Sequence, residues 1–417
     1  MTWIVTVLGG SAVVTPQLAA ALADATELAG ERIELRLVGR DVAKLEAVVD
    51  AATAVVRDGA CRVVVSGGAD VTAALDGARF VVNQVRAGGL TARAFDERFP
   101  QELGLPGEET MGPGGFANAW RTIPVVEELF GLVRRQAPGA TLLNLTNPAG
   151  IVHQVADRAG LDVITLCDSP VTLARTAAAF AGAAGAEATP GYVGTNHGGW
   201  LTSLHVDGSD VLPRALDQAD ELGERLGFDG ELLRRLGAIP NVYLRYVYYP
   251  ERQLAAQRAK GRVRADELLE LESAALAAYR ADDAKAVSAQ RRAVWYTECV
   301  VPMIGALATG RPMVTIAGVT NGGLLPWLPP ETMLEVPVSV DNGSLSVLGA
   351  EPLSVDSQAL LLQNAAYEQL TVAAVTARDR EAAIRALAAN PVVPSFDIAA
   401  AAVALIEAEF GALAMRA

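Results

Sequence analysis

The chain has 417 residues, of which 51% are hydrophobic and 20% are charged, and its net charge is −14. This length predicts two domains or one large elaborated domain, and the apolar fraction is sufficient for a sizeable core, which excludes a disordered chain. The three cysteines are spaced too widely for a disulfide framework or a paired-cysteine zinc module, so we expect a reducing cytoplasm. The acidic net charge and the small number of lysines, three in all, argue against binding to nucleic acid or to a membrane surface. No apolar stretch reaches the length of a membrane span.

In the first half, short β-branched runs alternate with stretches of helical periodicity. The sequence predicts strands at 3–8, 32–38, 61–66, 79–85, 140–146 and 162–167, and helices at 15–29, 41–57 and 116–136, with a Gly-rich loop before the last helix. Strands that alternate with helices in this way indicate βαβ units and a parallel sheet, and continuous apolar strands indicate helices on both faces. We therefore predict an α/β fold with a doubly wound parallel sheet of the Rossmann type.

Beyond residue 190 the pattern changes to strands mixed with long charged or alanine-rich helices. Predicted strands lie at 191–195, 200–206, 312–319 and 334–340, and predicted helices at 264–281, 358–376, 380–389 and 398–417. Glycine, alanine and proline cluster without periodicity at 182–190. We therefore predict a Rossmann domain at 1–188 and a mixed α/β domain at 189–417, which supplies substrate, metal and oligomer contacts across a shared cleft.

The first strand runs into the turn LGGSAVV, where Gly9, Gly10 and Ser11 precede the first helix. Glycines there let backbone N–H groups approach a pyrophosphate, although the full GxGxxG pattern is not present and a plain tight turn has similar odds. After the second strand, Arg40 is placed to stack on adenine or to meet a 2′-phosphate. Asp41 is placed to bind the ribose or to cap the next helix, which leaves NAD and NADP both open.

Polar motifs concentrate in a few later segments, namely NQVRAGGLTARAFDERFP, GEETMGPGGFANAW, NLTNPAG, LCDSP and TNHGGW. With the Gly-rich turn, IPNVYLRYVYY and VRADEL, they resemble glycoside hydrolase family 4, the NAD- and metal-dependent glycosidases whose best-known members cleave 6-phosphoglucosides. The resemblance spans nearly the whole chain. The combination of NPAG, Cys-x-x-Pro and Asn-His is specific, whereas each motif alone is not. This family is an exception among glycosidases, most of which use two carboxylates.

The resemblance assigns Cys167 and His197 as ligands of a divalent metal, which the family implies to be manganese. Cys167 ends a predicted strand at the carboxyl edge of the sheet, where doubly wound folds bind ligands, although a strand cysteine is usually a small buried hydrophobe. His197 lies among glycines that permit a close backbone approach. Thiolate and imidazole by themselves suit zinc or iron at least as well as manganese. The remaining histidines and cysteines are predicted to be structural: His153, His205, Cys61 and Cys299.

In the family, the residue after this cysteine differs between members. Asp168 at that position is similar to the members that act on 6-phospho-α-glucosides, where it donates a proton to the leaving group. The segments GLTARAFDERFP and GPGGFANAWRTIPVV instead resemble the β-acting members, so the anomer stays open. Ser169 departs from the aliphatic residue that is usual in the family, and this leaves the subgroup open as well.

The resemblance also supplies a base and the residues that hold the sugar. It places the catalytic base on Tyr243, with Tyr246 as the second choice, and a phenol with a pKa of about 10 can act in this way only where positive charge lowers its pKa. Asn147 would hold sugar hydroxyls, and Arg93 and Arg264 would bind the substrate. In a chain with a net charge of −14, arginines placed locally are the means of attracting a C6 phosphate.

The resemblance implies a 6-phosphoglucosidase that acts by transient oxidation of C3 with NAD, deprotonation of C2, elimination of the aglycone and addition of water, and the residue types are consistent with these steps. Two substrate alternatives stay open: another C6-anionic glycoside such as a sulfoquinovoside, or an uncharged hexoside. Alternatives of another class are an NAD-dependent 2-hydroxy-acid dehydrogenase, since lactate and malate dehydrogenases share the architecture, and an inactive sensor. The Cys167–His197 pair argues against the dehydrogenase, and retention of the Cys, His, Tyr and Asn together argues against the sensor. The resemblance further implies a homodimer or homotetramer, in which the predicted helix 398–417 would form a contact.

Overall fold

The computed structural model describes residues 2–56, 59–281 and 291–412, and one continuous sheet of 13 strands forms its centre. The parallel strands come from the first half: β1 (Thr2–Leu8), β2 (Arg32–Val38), β3 (Arg62–Gly68), β4 (Phe80–Asn83), β5 (Thr141–Asn144) and β6 (Asp162–Thr165). They lie in the spatial order β3-β2-β1-β4-β5-β6. This is the strand order of a doubly wound dinucleotide-binding sheet, so the predicted Rossmann-type α/β fold is confirmed.

Helices that connect these strands cover both faces of the sheet. They are α1 (Thr15–Asp24), α2 (Val42–Val55), α3 (Val71–Leu75), α4 (Gly89–Glu102), α5 (Gly112–Gln136), α6 (Ala149–Arg158) and α7 (Asp168–Phe180). Successive residues of a strand point to opposite faces. In β4, Phe80 and Val82 pack in an apolar cluster with α1, α2 and α7, whereas Val81 packs in a second cluster with α3, α5 and α6. Burial on both faces explains the continuous apolar strands of the sequence.

The second half extends the same sheet with antiparallel strands. These are β7 (Thr189–Thr195), β8 (Gly198–Val206), β9 (Ser209–Asp210), β10 (Ile239–Pro240), β11 (Met313–Thr320), β12 (Met333–Asp341) and β13 (Ser344–Val347). One row of paired residues crosses four strands where the halves join: Thr165 of β6, Gly318 of β11, Glu335 of β12 and Gly194 of β7. The predicted metal ligands follow β6 and β7 closely, so this row brings their segments to the same region of the sheet.

The helices of the second half are α8 (Leu212–Leu216), α9 (Ala219–Leu226), α10 (Gly230–Leu236), α11 (Arg245–Tyr248), α12 (Pro250–Lys260), α13 (Arg264–Arg280), α14 (Val301–Thr309), α15 (Val355–Ala377), α16 (Arg380–Ala388) and α17 (Phe396–Phe410). The last three contribute to the same apolar cluster as α5 and α6, so the C-terminal helices complete one face of the parallel sheet. No helix within the described residues is long and apolar enough to cross a membrane.

Some element boundaries differ from the prediction. The predicted Gly-rich loop is wrong, because helix α4 begins there after Gly88, whose left-handed φ of +78° turns the chain into the helix. The predicted strand 162–167 ends at Thr165, and Cys167 is instead the N-cap residue of α7. The predicted helices 41–57 and 398–417 are shorter in the structure, and Arg57 and residues 413–417 lie outside the described residues.

Candidate active site

A cavity of about 660 Å³ lies along the carboxyl ends of the parallel strands, where doubly wound folds bind ligands. The loops after β1, β2, β4 and β5 line it, together with residues of α13 and of the segment before α14, so both halves of the chain contribute. Of the residues predicted to bind cofactor or sugar, these line the cavity: Gly9, Ser11, Arg40, Asp41 and Asn147. The cavity is therefore the place where the structure collects the predicted binding residues.

The turn after β1 is shaped by close backbone contacts. Gly9 has a φ of +82°, and a Cβ added to Gly10 would come within 2.8 Å of Leu37 Cα, so Gly10 packs against β2. Helix α1 begins after Val14, whose apolar side chain cannot cap it, and the first-turn N–H groups are left without a side-chain cap. A helix N-terminus of this kind attracts anions, so the turn and the cavity fit the pyrophosphate of a dinucleotide.

The acidic residue after β2 has the capping role that the sequence left open. Asp41 accepts a hydrogen bond from the backbone N–H of Lys44 at 3.0 Å and so caps α2. Arg40 and Asp41 are both exposed and border the cavity. Lys44 lines the cavity as well and pairs with Glu272 of α13 at 2.7 Å. The cap uses one carboxylate oxygen, and both predicted residues stay accessible to a ligand.

The two predicted metal ligands lie next to each other. Cys167 Sγ is 3.7 Å from Nε2 of His197. A metal ion at bond lengths of about 2.3 Å to sulfur and about 2.0 Å to imidazole nitrogen fits between atoms at this separation. Burial, with Glu335 and Asp168 nearby, raises the pKa of Cys167, so a cation is needed to favour the thiolate. In the described part of the chain no group of three or more Asp, Glu, Cys or His side chains is arranged to hold a metal ion. A catalytic metal keeps coordination positions for substrate and water, so a pair of protein ligands is compatible with such a site.

His197 occupies an unusual backbone conformation in the tight turn between β7 and β8. Its φ is +63°, a left-handed value that is uncommon outside glycine and is concentrated at functional sites. The side chain of Asn196 donates to Oε1 of Glu335 at 2.8 Å and holds the turn against β12. A Cβ added to Gly194 would come within 2.0 Å of Gly199 Cα, so the two strands can meet closely only because both positions are glycine.

A chain of hydrogen bonds orients the imidazole of His197. Its Nδ1 lies 2.8 Å from the hydroxyl of Thr110, which also contacts Oε2 of Glu108. The backbone N–H groups of Thr110 and Met111 donate to that same oxygen, so Oε2 is an acceptor and the hydroxyl donates to it. The hydroxyl then accepts from Nδ1–H, and the Nε2 lone pair faces Cys167. Burial lowers the pKa of His197 to about 3, which keeps the ring neutral, as a metal ligand must be.

The predicted base lies against this histidine. The rings of Tyr243 and His197 stack with their centroids 3.6 Å apart, and Tyr243 belongs to the 3₁₀ turn Val242–Leu244. Burial and the carboxylate of Glu108 raise the pKa of Tyr243 well above its usual value. The protein alone therefore keeps the phenol protonated, and a base here needs added positive charge. The ring of Tyr246, the second choice, lies 6.5 Å from that of Tyr243.

The predicted proton donor begins the helix that follows the cysteine ligand. Asp168 is the first residue of α7 and is partly buried. Burial raises the pKa of Asp168, and Glu298 adds to this, while a backbone hydrogen bond opposes it. A raised pKa favours the protonated carboxyl that a proton donor needs. The carboxyl is thus adjacent in sequence to one metal ligand and has the direction of shift that the predicted role requires.

The two predicted substrate arginines lie in different environments. Arg93 is buried in α4, where its Nε donates to Oε1 of Glu97 and a second N–H group lies near Oε1 of Glu109, both at 2.7 Å. Glu97 also accepts from a backbone N–H of α13 at 2.8 Å. Arg264, the first residue of α13, is exposed and pairs with Glu267 at 2.5 Å. The contact between α4 and α13 therefore brings the two predicted arginines to one region.

Two further arginines, which the sequence did not single out, complete this cluster. Arg86 contacts Oε2 of Glu109, and both Arg86 and Arg291 line the cavity. Burial and repulsion by Arg93, Arg86 and Arg264 lower the pKa of Arg291 to about 10. Sequence spacing gives no signal for this cluster, because it joins the segment after β4 to residues on both sides of α13.

The cavity and the Cys167–His197 pair are connected through α5. Asn118, which lines the cavity beside Asn147, donates to the carbonyl oxygens of Asn147 at 3.2 Å and of Glu109 at 3.1 Å. Thr110, the residue after Glu109, lies with its hydroxyl 2.8 Å from Nδ1 of His197. Hydrogen bonds therefore link the cavity to the predicted ligand pair, whereas several predicted site residues do not line the cavity itself: Cys167, Asp168, His197, Tyr243, Arg93 and Arg264.

The residues predicted to be structural are buried or lie away from the cavity, and one of them, Cys299, also contacts the segment that carries Cys167. His153 is enclosed between the hydroxyls of Thr165 and Thr320, at 2.9 and 3.1 Å, and burial lowers its pKa to about 3. Cys61 is buried between the first two helices and the sheet edge. Cys299 is buried as well, and its Sγ lies 3.7 Å from the carbonyl oxygen of Cys167, so it packs directly behind the ligand turn.

The fold is that of a dinucleotide-binding sheet, and a thiol–imidazole pair with a tyrosine stacked on the imidazole lies beyond the ends of its strands. Two family models match nearly the whole chain, "Family 4 glycosyl hydrolase" over residues 3–182 and "Family 4 glycosyl hydrolase C-terminal domain" over residues 192–393. The 6-phospho-beta-glucosidase BglT of Thermotoga maritima is 30% identical, over 94% of this chain and 95% of its own. The chain belongs to family 4 of the glycosyl hydrolases, as its motifs predicted.

Solved structures and other relatives agree with this assignment. The 6-phospho-beta glucosidase of Thermotoga maritima with manganese, NAD+ and glucose-6-phosphate has a TM-score of 0.86 at 28% identity, covering 98% of each chain. The maltose-6'-phosphate glucosidase of Bacillus subtilis is 26% identical over 95% of this chain and 93% of its own. A lactate dehydrogenase from a deep-sea metagenome library, with a TM-score of 0.58 at 14% identity, shares the fold alone. The predicted enzyme class and dehydrogenase-like architecture are confirmed, and the predicted 6-phosphoglucoside, NAD and manganese are those of the named relatives.

Proposed function

We propose that the protein is a 6-phosphoglucosidase that uses NAD and a divalent metal and releases the aglycone by oxidation and elimination. The observation that carries this proposal is the placement of Cys167 Sγ 3.7 Å from His197 Nε2, with the Tyr243 ring stacked on that histidine. A thiol–imidazole pair beside a dinucleotide cavity has no role in hydrolysis by two carboxylates. It does have a role where a sugar hydroxyl is first oxidised and the neighbouring C–H group is then deprotonated.

The residues present fit both cofactors. NAD would lie in the 660 Å³ cavity, with its pyrophosphate at the N-terminus of α1 and its adenosine toward Arg40 and Asp41. Cys167 and His197 would hold the metal, and manganese is the ion that the family implies. When bound, NAD takes up and returns the hydride of C3, and the metal polarises the sugar oxygens and supplies positive charge. That charge is what the buried phenol of Tyr243 lacks.

The side chains of this chain then have separate tasks. Tyr243 removes the proton from C2, and its stacking on His197 fixes the ring that carries the phenol oxygen. Asp168, whose pKa is raised by burial, donates a proton to the leaving oxygen. Asn147 binds sugar hydroxyls at the inner end of the cavity. Water would stay excluded from this buried region until the aglycone has been eliminated, and a water molecule would then add at C1.

The arginine cluster supports an anionic substituent on C6. Arg291 has its pKa lowered to about 10 by burial and by repulsion from Arg93, Arg86 and Arg264, although each of those three is paired with a glutamate. A phosphate between these groups would relieve their repulsion and accept charge-assisted hydrogen bonds. This feature favours a C6-anionic glycoside over an uncharged hexoside. Arg93 and Arg264, predicted from the motifs, would act with Arg86 and Arg291.

We further propose the two-domain division at 188/189, a homodimer or homotetramer, and a cytoplasmic location. The gap between the two family models, residues 183–191, supports the division. The three cysteines are free, which supports a reducing compartment. Light scattering on the purified protein tests the assembly, and a monomer at micromolar concentration would contradict it.

A substrate panel tests the proposed activity. Nitrophenyl α- and β-glucosides with a 6-phosphate, a 6-sulfonate or a free 6-hydroxyl should be compared with and without Mn(II), added NAD and reductant. We expect turnover of a 6-phosphoglucoside only when NAD and the metal are present. Cys167→Ser should lose bound metal and activity together, whereas Cys61→Ser controls for the loss of a buried thiol and should keep both. A Cys167→Ser variant with unchanged bound metal and unchanged turnover would contradict the proposal.

A further inference from the structure

The residue after Asp168 takes part in a buried network that joins the ligand turn to the tyrosine. The hydroxyl of Ser169 donates to Oδ1 of Asn241 at 3.0 Å. The same oxygen accepts the backbone N–H of Tyr243 at 3.2 Å and so caps the 3₁₀ turn that carries the phenol. One carboxamide oxygen therefore holds the first turn of α7 and the turn of the predicted base.

Asn241 is itself fixed from other sides. Its Nδ2 donates to the hydroxyl of Tyr192 at 3.0 Å, and its backbone N–H donates to the carbonyl of Gly199 at 2.8 Å. The side chain is fully buried, so each of its hydrogen bonds lacks competition from solvent. Because Gly199 belongs to the strand that leaves the His197 turn, Asn241 is anchored to the same hairpin as the second metal ligand.

Ser169 also contacts the first metal ligand, since its backbone N–H is hydrogen-bonded to the sulfur of Cys167. The sequence already set this residue apart, because an aliphatic residue is usual at its position in the family. An aliphatic side chain at this position could not donate to Asn241, so the tie between α7 and the 3₁₀ turn depends on the hydroxyl. Its hydroxyl lies on the path from Cys167 to Tyr243 and touches neither the cavity lining nor the ligand atoms.

We infer that Ser169, acting through Asn241, is a positioning residue that holds the phenol of Tyr243 in register with the Cys167–His197 pair. This inference rests on the proposed function, in which Tyr243 removes the C2 proton. Proton transfer depends steeply on the distance between donor and acceptor, so a loosened 3₁₀ turn slows that step more than it weakens substrate binding. The role predicts an effect on one chemical step, whereas a merely structural role predicts a uniform loss.

The test compares Ser169→Ala with wild type on 6-phosphoglucosides deuterated at C2 or at C3. We expect kcat to fall by about 2- to 10-fold, the range for one neutral hydrogen bond, with KM nearly unchanged. The C2 isotope effect should rise and the C3 effect should fall, because deprotonation becomes the slower step. Ser169→Thr, which restores a hydroxyl, should recover the wild-type effects. Mn(II) affinity should not change, since both ligands and the Ser169 N–H group remain.

Thr176→Ala is the matched control, because it removes a hydroxyl from a half-buried position of the same helix, where Oγ1 bonds to the carbonyl oxygen of Thr172 within α7. It should leave both isotope effects at their wild-type values. An unchanged kcat in Ser169→Ala, or a lower kcat with unchanged isotope effects, would overturn the positioning role. Wild-type enzyme without either isotope effect would instead overturn the proposed function itself, and the role of Ser169 would fall with it.

Discussion

The hydrogen bond from His197 to Thr110 gives a prediction about metal affinity that does not depend on turnover. Thr110→Val keeps the shape of the side chain and removes only the hydroxyl that lies 2.8 Å from Nδ1 of His197. The Nδ1–H group would then be buried without an acceptor, and the preference for the tautomer with a free Nε2 lone pair would be lost. Glu108 would keep its two backbone donors, so the loop itself should hold.

The size of the effect follows from two independent ranges. Leaving a buried donor unsatisfied costs about 1–3 kcal/mol. Loss of an outer hydrogen-bond partner of a ligating histidine weakens metal binding by about 10- to 100-fold, which corresponds to about 1.4–2.7 kcal/mol. Because the two ranges coincide, we expect Thr110→Val to raise the Kd for Mn(II) by about 10- to 100-fold.

The measurement is the free Mn(II) signal in electron paramagnetic resonance, titrated against the NAD-saturated protein. Thr110→Ser is the matched control, since it keeps the oxygen and removes a methyl group, and it should bind Mn(II) within about threefold of wild type. The same titration of Cys167→Ser gives the limit for a missing ligand. A Thr110→Val variant that binds Mn(II) as tightly as wild type would refute the tautomer argument and the placement of Nε2 as a ligand.

Three further predictions follow from the charges of the site and the core. Asp168→Asn should lower kcat/KM by about 10²-fold or more on a 6-phosphoglucoside with an alkyl leaving group. The loss should be much smaller on the nitrophenyl analogue, because nitrophenolate leaves without a proton. Equal losses on the two substrates in a steady-state assay would contradict the role of Asp168 as proton donor. Arg291→Gln should raise KM for the 6-phosphate by about tenfold or more without affecting KM for an uncharged glucoside. The control is Arg234→Gln, which removes an exposed arginine of a surface ion pair and should change neither KM. A KM for the 6-phosphate that stays at the wild-type value would remove Arg291 from the anion site. Burial and Glu335 raise the pKa of Glu368 to about 8. Its contribution to stability is therefore full below the unfolded pKa of about 4.3 and is lost as the pH rises through 8. Urea midpoints should fall less from pH 5 to pH 8 in Glu368→Gln than in wild type, and an equal fall would show that Glu368 titrates normally.

The parallel half of the fold is predictable from the sequence because local patterns determine it. A strand buried on both faces must be apolar throughout, and FVV in β4 and VIT in β6 satisfy this requirement directly. Helix α4 was missed because its sequence has little apolar periodicity: it begins at paired glycines and buries polar residues such as Asp96, which pairs with Arg121 of α5. A buried carboxylate paired with a distant arginine leaves no periodic signal.

The site divides in the same way. Motif residues after strand ends, such as Asn147 and Cys167, could be singled out because they match the family's motifs and because the carboxyl edge of a parallel sheet is where such folds bind ligands. Thr110 and Ser169 could not be assigned a role, because each acts through one hydrogen bond to a residue far away in sequence, His197 and Asn241. Arg291 likewise could not be assigned to an anion site, because that role depends on arginines far away in sequence.

The central claim is that this glycosidase deprotonates C2 of the sugar during turnover. The most direct measurement is turnover of a 6-phosphoglucoside in D₂O, followed by mass spectrometry and NMR of the released 6-phosphosugar. Exchange at the phenol of Tyr243 should place deuterium at C2 of the product, and Tyr243→Phe should abolish both turnover and exchange. Complete turnover with protium retained at C2 would contradict the account, because a mechanism that displaces the aglycone directly never breaks that bond.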